Sequence, residues 1–404
     1  MMLTNRQLFL LHLGQTSTNP IMVEIVRAEG VFLYGTDGKK YFDLISGVSV
    51  SNTGHRHPKV VEAVKNQVDS YLHLMVYGEI IQSPQVKYAE RLAEILPPEL
   101  NTCYFVNSGS EAVEGALKLA KRFTGRSRII SFNNSYHGST HGALSIQGSE
   151  FYRNAFRPLL PDTYLVGFNN ENSLDSIDDK TACVIIEPVQ GEAGVIYPEN
   201  GFLEKIRNKC NSTGTLLIFD EIQTGFGRTG FMFAIDRFGV VPDIILLAKA
   251  LGGGMPLGAF ISSKEVMSAL VSNPPLGHIT TFGGHPVCCA AGLASLNVII
   301  EEKLVETCNM KSSLFKKELN HPLISEVRGE GLLLAVQLTD SEYVQYVITN
   351  APDYGLILDY FLFCNNAFRI APPLTISEDE ISMACLQLKK LLDAAMDNAM
   401  KKPT

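Results

Sequence analysis

Three short runs in this chain are apolar from end to end: Ala-Cys-Val-Ile-Ile at 182–186, Leu-Leu-Ile-Phe at 216–219 and Ile-Ile-Leu-Leu at 244–247. A strand with one face in water alternates polar and apolar residues, whereas a strand covered on both faces does not. These runs, together with Arg-Ile-Ile-Ser at 128–131 and Ala-Phe-Ile at 259–261, alternate with helical patterns. The pattern calls for an α/β fold, a mostly parallel central sheet with helices on both faces. The chain ends read differently. Residues 31–34 and 40–43 form strand signals around the turn Gly35-Thr36-Asp37-Gly38. From about Val298 amphipathic helices take over, with strands expected near 331–338 and 368–371. A chain of 404 residues exceeds one ordinary core, so two lobes are expected.

Sites in parallel sheets gather at the carboxyl ends of strands, and three charged residues fall there: Glu187, Asp220 and Lys249. A carboxylate at the end of one strand and a lysine after the next suit pyridoxal phosphate. That cofactor needs a lysine for its Schiff base and an acid facing the pyridinium nitrogen. A lysine among apolar residues loses hydration, which favours its neutral, nucleophilic form. A buried Lys–Asp ion pair would look the same, but Gly252-Gly253-Gly254 follow Lys249 closely. Three glycines there cost backbone entropy and serve no core-packing purpose in this reading. They fit a sharp turn or a close approach of backbone to a ligand.

An anion cradle lies upstream. A strand signal at 103–106 runs into Asn107-Ser108-Gly109-Ser110-Glu111-Ala112 and then a helical pattern. Ser108 or Ser110 caps that helix, Gly109 lets the backbone close in, and free N–H groups with the positive end of the dipole face outward.

The stretches 107–112, Tyr136-His137-Gly138, 187–192 (Glu-Pro-Val-Gln-Gly-Glu), 220–230 (Asp-Glu-Ile-Gln-Thr-Gly-Phe-Gly-Arg-Thr-Gly), 249–254 and 281–286 (Thr-Phe-Gly-Gly-His-Pro) stand in one order. In that order they resemble the class III (omega-type) aminotransferases of PLP fold type I. The likeness runs from about Gly30 nearly to the C-terminus and is nearest in look to the acetylornithine, ornithine and 4-aminobutyrate aminotransferases. It implies a large PLP-binding domain at 51–297. The segments 1–50 and 298–404 then form a smaller α+β domain from both chain ends. It also implies an enzyme that passes an amino group from an amino acid or ω-amine donor to a 2-oxo acid in two half-reactions. Alternatives within reach are a racemase, epimerase or decarboxylase of the same superfamily, or a binding protein that has lost catalysis. The last would need to keep neither Lys249 nor Asp220.

The resemblance assigns roles residue by residue. Lys249 carries the cofactor and then serves as the proton-moving base. Asp220 pairs with the ring nitrogen, Gln223 bonds the ring phenolate oxygen, and Tyr136 and Val189 cover the two ring faces. His137, directly after the stacking residue, and Glu187 belong to the cofactor site, His137 as a group in its outer layer. Ser108, Gly109 and Ser110 receive the phosphate, helped by Thr281 from a neighbouring subunit, which implies a homodimer with shared sites. Glu192 and Arg369 match a gate: the glutamate occupies the arginine until a substrate α-carboxylate takes its place, and the planar guanidinium suits two-point binding. Gly227-Arg228-Thr229-Gly230 reads as structural.

Two positions depart from the pattern. Ser139 follows the Tyr-His-Gly triplet where many relatives carry an arginine for the second carboxylate of 2-oxoglutarate or glutamate, which puts that acceptor in question and with it the narrow names of acetylornithine or 4-aminobutyrate aminotransferase. Val48 stands where the ornithine enzymes are expected to carry a tyrosine. The bulk of the chain adds only exclusions. A net charge of −8 without basic clusters speaks against nucleic acid and anionic membranes. No apolar stretch approaches the ~20 residues that span a bilayer. No signal-peptide pattern opens the chain, and eight scattered cysteines lack a Cys-x-x-Cys pair. These features point to the cytoplasm, free thiols and no metal.

Overall fold

The apolar runs become the centre of one sheet in the computed structural model, which describes residues 3–401. The N-terminal arm contributes β1 (Ile25–Glu29), β2 (Phe32–Gly35) and β3 (Lys40–Asp43). The middle of the chain contributes β4 (Thr102–Val106), β5 (Arg128–Phe132), β6 (Thr163–Val166), β7 (Thr181–Ile186), β8 (Leu216–Asp220), β9 (Ile244–Leu247) and β10 (Gly258–Ser262). The last part contributes β11 (Ile324–Glu330), β12 (Leu333–Leu338), β13 (Leu356–Ile357), β14 (Asp359–Tyr360) and β15 (Ala367–Ile370).

The central sheet has seven strands in the order β4-β10-β9-β8-β7-β5-β6. Its pairings are parallel except those of β10, which runs against both β9 and β4. Every residue of β7, β8, β9 and β10 is buried, as strands covered on both faces should be. Helix Gly109–Thr124 covers one side, with Ala116, Leu117 and Ala120 packed among Ile129, Ile185 and Ile218.

The chain ends share a sheet. β13 pairs in parallel with β3 and completes the order β1-β2-β3-β13, while β11-β12-β15-β14 form a second, antiparallel sheet. The expected junction at 297/298 falls inside the helix Pro286–Glu301. That helix packs along the helices Pro58–Ser70 and Ser83–Ile95 and against the turn at 249–252. Its neighbour explains the glycine run differently from the sequence reading. Gly253 has φ 59°, and a Cβ there would lie 2.6 Å from the Ala291 carbonyl oxygen. The glycine therefore serves close packing against a core helix as well as a sharp turn.

One local feature is strained. Ser46, Gly47, Val48 and Ser49 have φ of 46°, 62°, 64° and 62°, a single left-handed turn. Each non-glycine residue there costs on the order of 1–2 kcal/mol, so surrounding contacts must over-determine the shape. Asp43 Oδ1 accepts from the N–H of Ile45 (3.1 Å) and of Ser46 (2.7 Å), and Ser46 Oγ donates to the Ala371 carbonyl at 2.7 Å. Arg228 ties the rest. Its Nη1 donates to the carbonyls of Leu332 (2.9 Å) and Pro372 (2.6 Å), and its Nη2 donates to Ser46 Oγ (3.1 Å) and to Asn52 Oδ1. Asn52 in turn donates to the Phe226 carbonyl at 2.9 Å. Arg228 is fully buried with no carboxylate in ion-pair reach among the described residues, and burial pushes its pKa down to about 10. It links the N-terminal arm, the 226–230 loop and the C-terminal lobe, in keeping with a structural role. Truncation would leave several buried acceptors unpaired, so Arg228→Ala should lower stability by roughly 3–5 kcal/mol. A denaturation midpoint that hardly moves would show that other contacts hold the turn.

Candidate active site

Parallel register brings the charged residues together. Asp220, the last residue of β8, stands opposite Leu246 of β9. Lys249 lies just beyond the end of β9, and Glu187 follows β7 directly. A cavity of about 350 Å³ opens at these strand ends, walled by Ser108, Gly109, Ser110, Tyr136, His137, Glu187, Asp220, Gln223 and Lys249 among others.

One wall is the N-terminus of helix Gly109–Thr124. Ser108 is its N-cap and accepts from the Glu111 N–H at 3.2 Å, while Glu111 Oε2 reaches back to the Asn107 N–H at 2.7 Å. The remaining first-turn amides and the helix dipole face the cavity, a setting for an anion. Gly138, at φ 122°, lies so close that a Cβ would sit 2.1 Å from Ser110 Oγ.

The floor holds the acid. Asp220 is 4% exposed; its Oδ2 bonds His137 Nδ1 at 2.7 Å, and its Oδ1 accepts from the Ile222 N–H at 3.1 Å. His137 Nε2 and Gln223 Nε2 are buried without a partner. Glu187 accepts from the Tyr136 N–H at 3.2 Å; burial first and Asp220 second push its carboxyl well above the usual range. Lys249 sits at φ 49°, a strained conformation for a residue with a side chain, and its Nζ has no hydrogen-bond or ion-pair partner among the described residues. Burial lowers its pKa, Arg369 adds to that, and Glu192, Asp220 and Glu187 oppose it.

The class-III aminotransferase family matches residues 13–392 of this chain. The chain is 42% identical over 389 residues to the acetylornithine aminotransferase of Methanopyrus kandleri, covering 95% of this chain and 97% of that protein. It is 40% identical over 380 residues to the acetylornithine aminotransferase of Streptomyces coelicolor, covering 93% and 92%. The chain belongs to the class-III aminotransferases. Among solved structures, the ornithine aminotransferase of Toxoplasma gondii, which has PLP at partial occupancy in its active site, superposes with a TM-score of 0.89 at 31% identity, covering 97% and 94%. A transaminase from a marine Virgibacillus superposes at 0.91 with 27% identity, covering 98% and 99%. The aminotransferase is a PLP-dependent enzyme of amino-group transfer, and neither a racemase or decarboxylase nor an inactive binding protein finds a counterpart among these relatives.

The residues of this aminotransferase fit the cofactor: an amide cradle, a buried carboxylate oriented by histidine, an amide with a free donor, and a lysine with a free amine share one cavity. Other residues singled out from sequence lie elsewhere. Val189 is buried in an apolar cluster with Val195 and Phe361 and is not on the cavity wall. Ser139 is exposed, with its Oγ 3.3 Å from the Tyr136 hydroxyl. Thr281 is exposed and also off the wall. Val48 does not line the cavity; Val50, at the end of the left-handed turn, does. Met255, Pro256 and Leu257 complete the wall and were missed in the sequence. Their only signal is an apolar stretch directly after the glycines.

Glu192 and Arg369 meet each other, and neither lines the cavity. Arg369 Nη2 donates to Glu192 Oε1 at 2.5 Å, and both residues are buried. Asp359 stands opposite Arg369 in the β14–β15 pair, with its Oδ2 3.6 Å from Nη1, and the Phe361 ring lies 4.8 Å from the guanidinium.

Asp220→Asn keeps the shape of the His137 contact and removes the charge. The rate of the amine half-reaction should fall by roughly 10²–10³, the range for one preorganised electrostatic group. A rate within twofold of wild type in stopped-flow absorbance would show that Asp220 only packs.

Proposed function

We propose that this aminotransferase takes the amino group of an amino acid or ω-amine donor that presents its amine end to the site and gives it to a 2-oxo acid, as a cytoplasmic homodimer. The observation that carries the reading is the buried Glu192–Arg369 bridge. A guanidinium grips a carboxylate with two parallel N–H bonds, and both of its two-pronged edges include Nη2. Glu192 occupies Nη2. An α-carboxylate must therefore displace Glu192, whereas an amine approaching by an end without an α-carboxylate leaves the bridge intact. One site thereby serves two unlike substrates. The names of the relatives support an ω-amino donor, while a cavity wall without arginine among the described residues favours one that lacks a distal carboxylate.

The other residues take roles in keeping with their places. The amides at Ser108, Gly109 and Ser110 hold the phosphate. Asp220, oriented by His137, holds a proton on the ring nitrogen, and Gln223 offers its free amide to the ring oxygen. Tyr136, on the cavity wall, covers one ring face. Lys249 Nζ, made less basic by burial and free of a competing partner, carries the cofactor. Once released by the incoming amine, it moves the proton from the substrate carbon. When bound, the cofactor supplies the electron sink for that step. The lobe built from 1–50 and 298–404 contributes Arg369.

The acceptor follows from Ser139. No arginine lines the cavity among the described residues. Arg153 is buried in a separate hollow beside Glu150, and Arg56 lines another with Glu29 and Lys65. A distal carboxylate thus lacks a cation, and an unpaired buried carboxylate is costly. Pyruvate should compete with 2-oxoglutarate in kcat/KM in wild type. Ser139→Arg should swing the ratio toward 2-oxoglutarate by at least about tenfold, the value of one charge-assisted contact. A strong wild-type preference for 2-oxoglutarate, unchanged by the arginine, would contradict this.

The homodimer rests on the face around Thr281. Phe282 is exposed there against His73, and Leu72, Leu74 and Ile81, the last 92% exposed, stand on the nearby 72–81 segment. Such surface calls for a cover, and a second copy would bring Thr281 to the partner's phosphate cradle. Sedimentation should find a dimer at assay concentration; a monomer with full activity would overturn the shared site. The eight cysteines are all unpaired, which fits a reducing compartment.

A further inference from the structure

Glu192 is held by more than Arg369. Its Oε2 accepts from the Leu362 N–H at 3.2 Å, and its backbone carbonyl accepts from the Phe363 N–H at 3.0 Å. Both donors belong to the loop between β14 and β15, the same hairpin that carries Asp359 and Arg369. The loop is itself tied down from the far side of the chain. Tyr152, on the short helix Glu150–Arg153, donates its hydroxyl to the Leu362 carbonyl at 3.2 Å. Its ring meets Phe363 edge-on, with centroids 5.6 Å apart and planes at 76°. The neighbouring end of the glutamate loop is fixed separately, where Arg328 Nε donates to the Gly194 carbonyl at 2.5 Å and Arg328 Nη2 reaches Cys364 Sγ at 3.4 Å.

We infer that Tyr152 is a specificity-determining positioning residue that latches the 361–364 loop and, through it, sets how readily Glu192 leaves Arg369. The inference rests on the reading of Arg369 as the receptor of the α-carboxylate. When a 2-oxo acid displaces Glu192, the incoming carboxylate replaces the glutamate on Nη2, but nothing replaces Glu192 on the Leu362 N–H unless the loop yields or water enters. Leu362 is 40% exposed, so water has access once the loop shifts. Tyr152 opposes that shift by holding Leu362 through its carbonyl while the N–H of the same residue holds Glu192. The resting enzyme has the bridge closed. An apparent acceptor affinity is reduced by the fraction of open gate, and any loosening of the latch returns part of it. The donor binds with the bridge closed and feels little change.

The test is a double-mutant cycle of Tyr152→Phe and Glu192→Gln on the cofactor-loaded enzyme, with KM and kcat measured separately for pyruvate and for the amino donor. Loss of one neutral hydrogen bond corresponds to a change of roughly two- to tenfold. Tyr152→Phe is expected to lower KM for pyruvate by that factor, leave donor KM within twofold, and leave both kcat values and the melting temperature unchanged. In the Glu192→Gln background the same substitution should do nothing further, because a residue acting through Glu192 cannot add to its loss. An equal effect on both substrates, a fall in kcat, or an effect that persists in the Glu192→Gln background would overturn the role of Tyr152. If Glu192→Gln alone leaves the discrimination between the two substrates untouched, the gate itself is wrong, and the latch falls with it.

Discussion

The parallel register of β8 and β9 is the constraint on which the rest of this enzyme depends. Asp220 faces Leu246 across the ladder, so the carboxylate and Lys249, just beyond the end of β9, emerge at the same level on one side of the sheet. A slip of one residue would turn Asp220 to the opposite face. The register is fixed because both faces of these strands are buried and filled: Leu217, Phe219, Ile245 and Leu247 on one side, Ile218, Ile244 and Leu246 on the other. The chemistry at the strand ends thus inherits its geometry from apolar packing.

That packing creates an electrostatic problem that the site turns to use. Three buried carboxyls, Glu187, Asp220 and Glu192, surround a lysine and a buried arginine. Each carboxyl meets a different environment. Asp220 has a histidine and a backbone N–H, Glu192 has a guanidinium and a backbone N–H, and Glu187 has a single backbone N–H and no cation in ion-pair reach among the described residues. Glu187 is pushed well above the usual carboxylate range, by burial first and by Asp220 second. The positive φ of Lys249 belongs to the same account, since strain of this kind persists only where the surroundings over-determine it.

Much of the fold was legible because fully buried strands write themselves as unbroken apolar runs, as at 182–186, 216–219 and 244–247. The cap at Ser108 was legible for a local reason, a small polar residue ahead of a helical pattern. The reversed direction of β10 was not, because an apolar run carries no sign of its direction. Nor was the left-handed turn at 46–49: one glycine in four residues does not announce it, and what holds it is Arg228, far along the chain. The Glu192–Arg369 contact was expected only through family likeness, since nothing in the spacing of two residues so far apart brings them together. Its supports, the Leu362 N–H and the Tyr152 hydroxyl, involve a backbone group and an ordinary tyrosine, which leave no mark in a sequence.

The central claim is that Lys249 is the residue to which the cofactor is attached. Borohydride reduction of the purified holoenzyme, followed by proteolysis and mass spectrometry, fixes the cofactor on its lysine and reads the position directly. The account predicts one phosphopyridoxyl group per chain, on the peptide containing Lys249. A group found on another lysine, or a reduced protein that carries none despite bound cofactor, would contradict it.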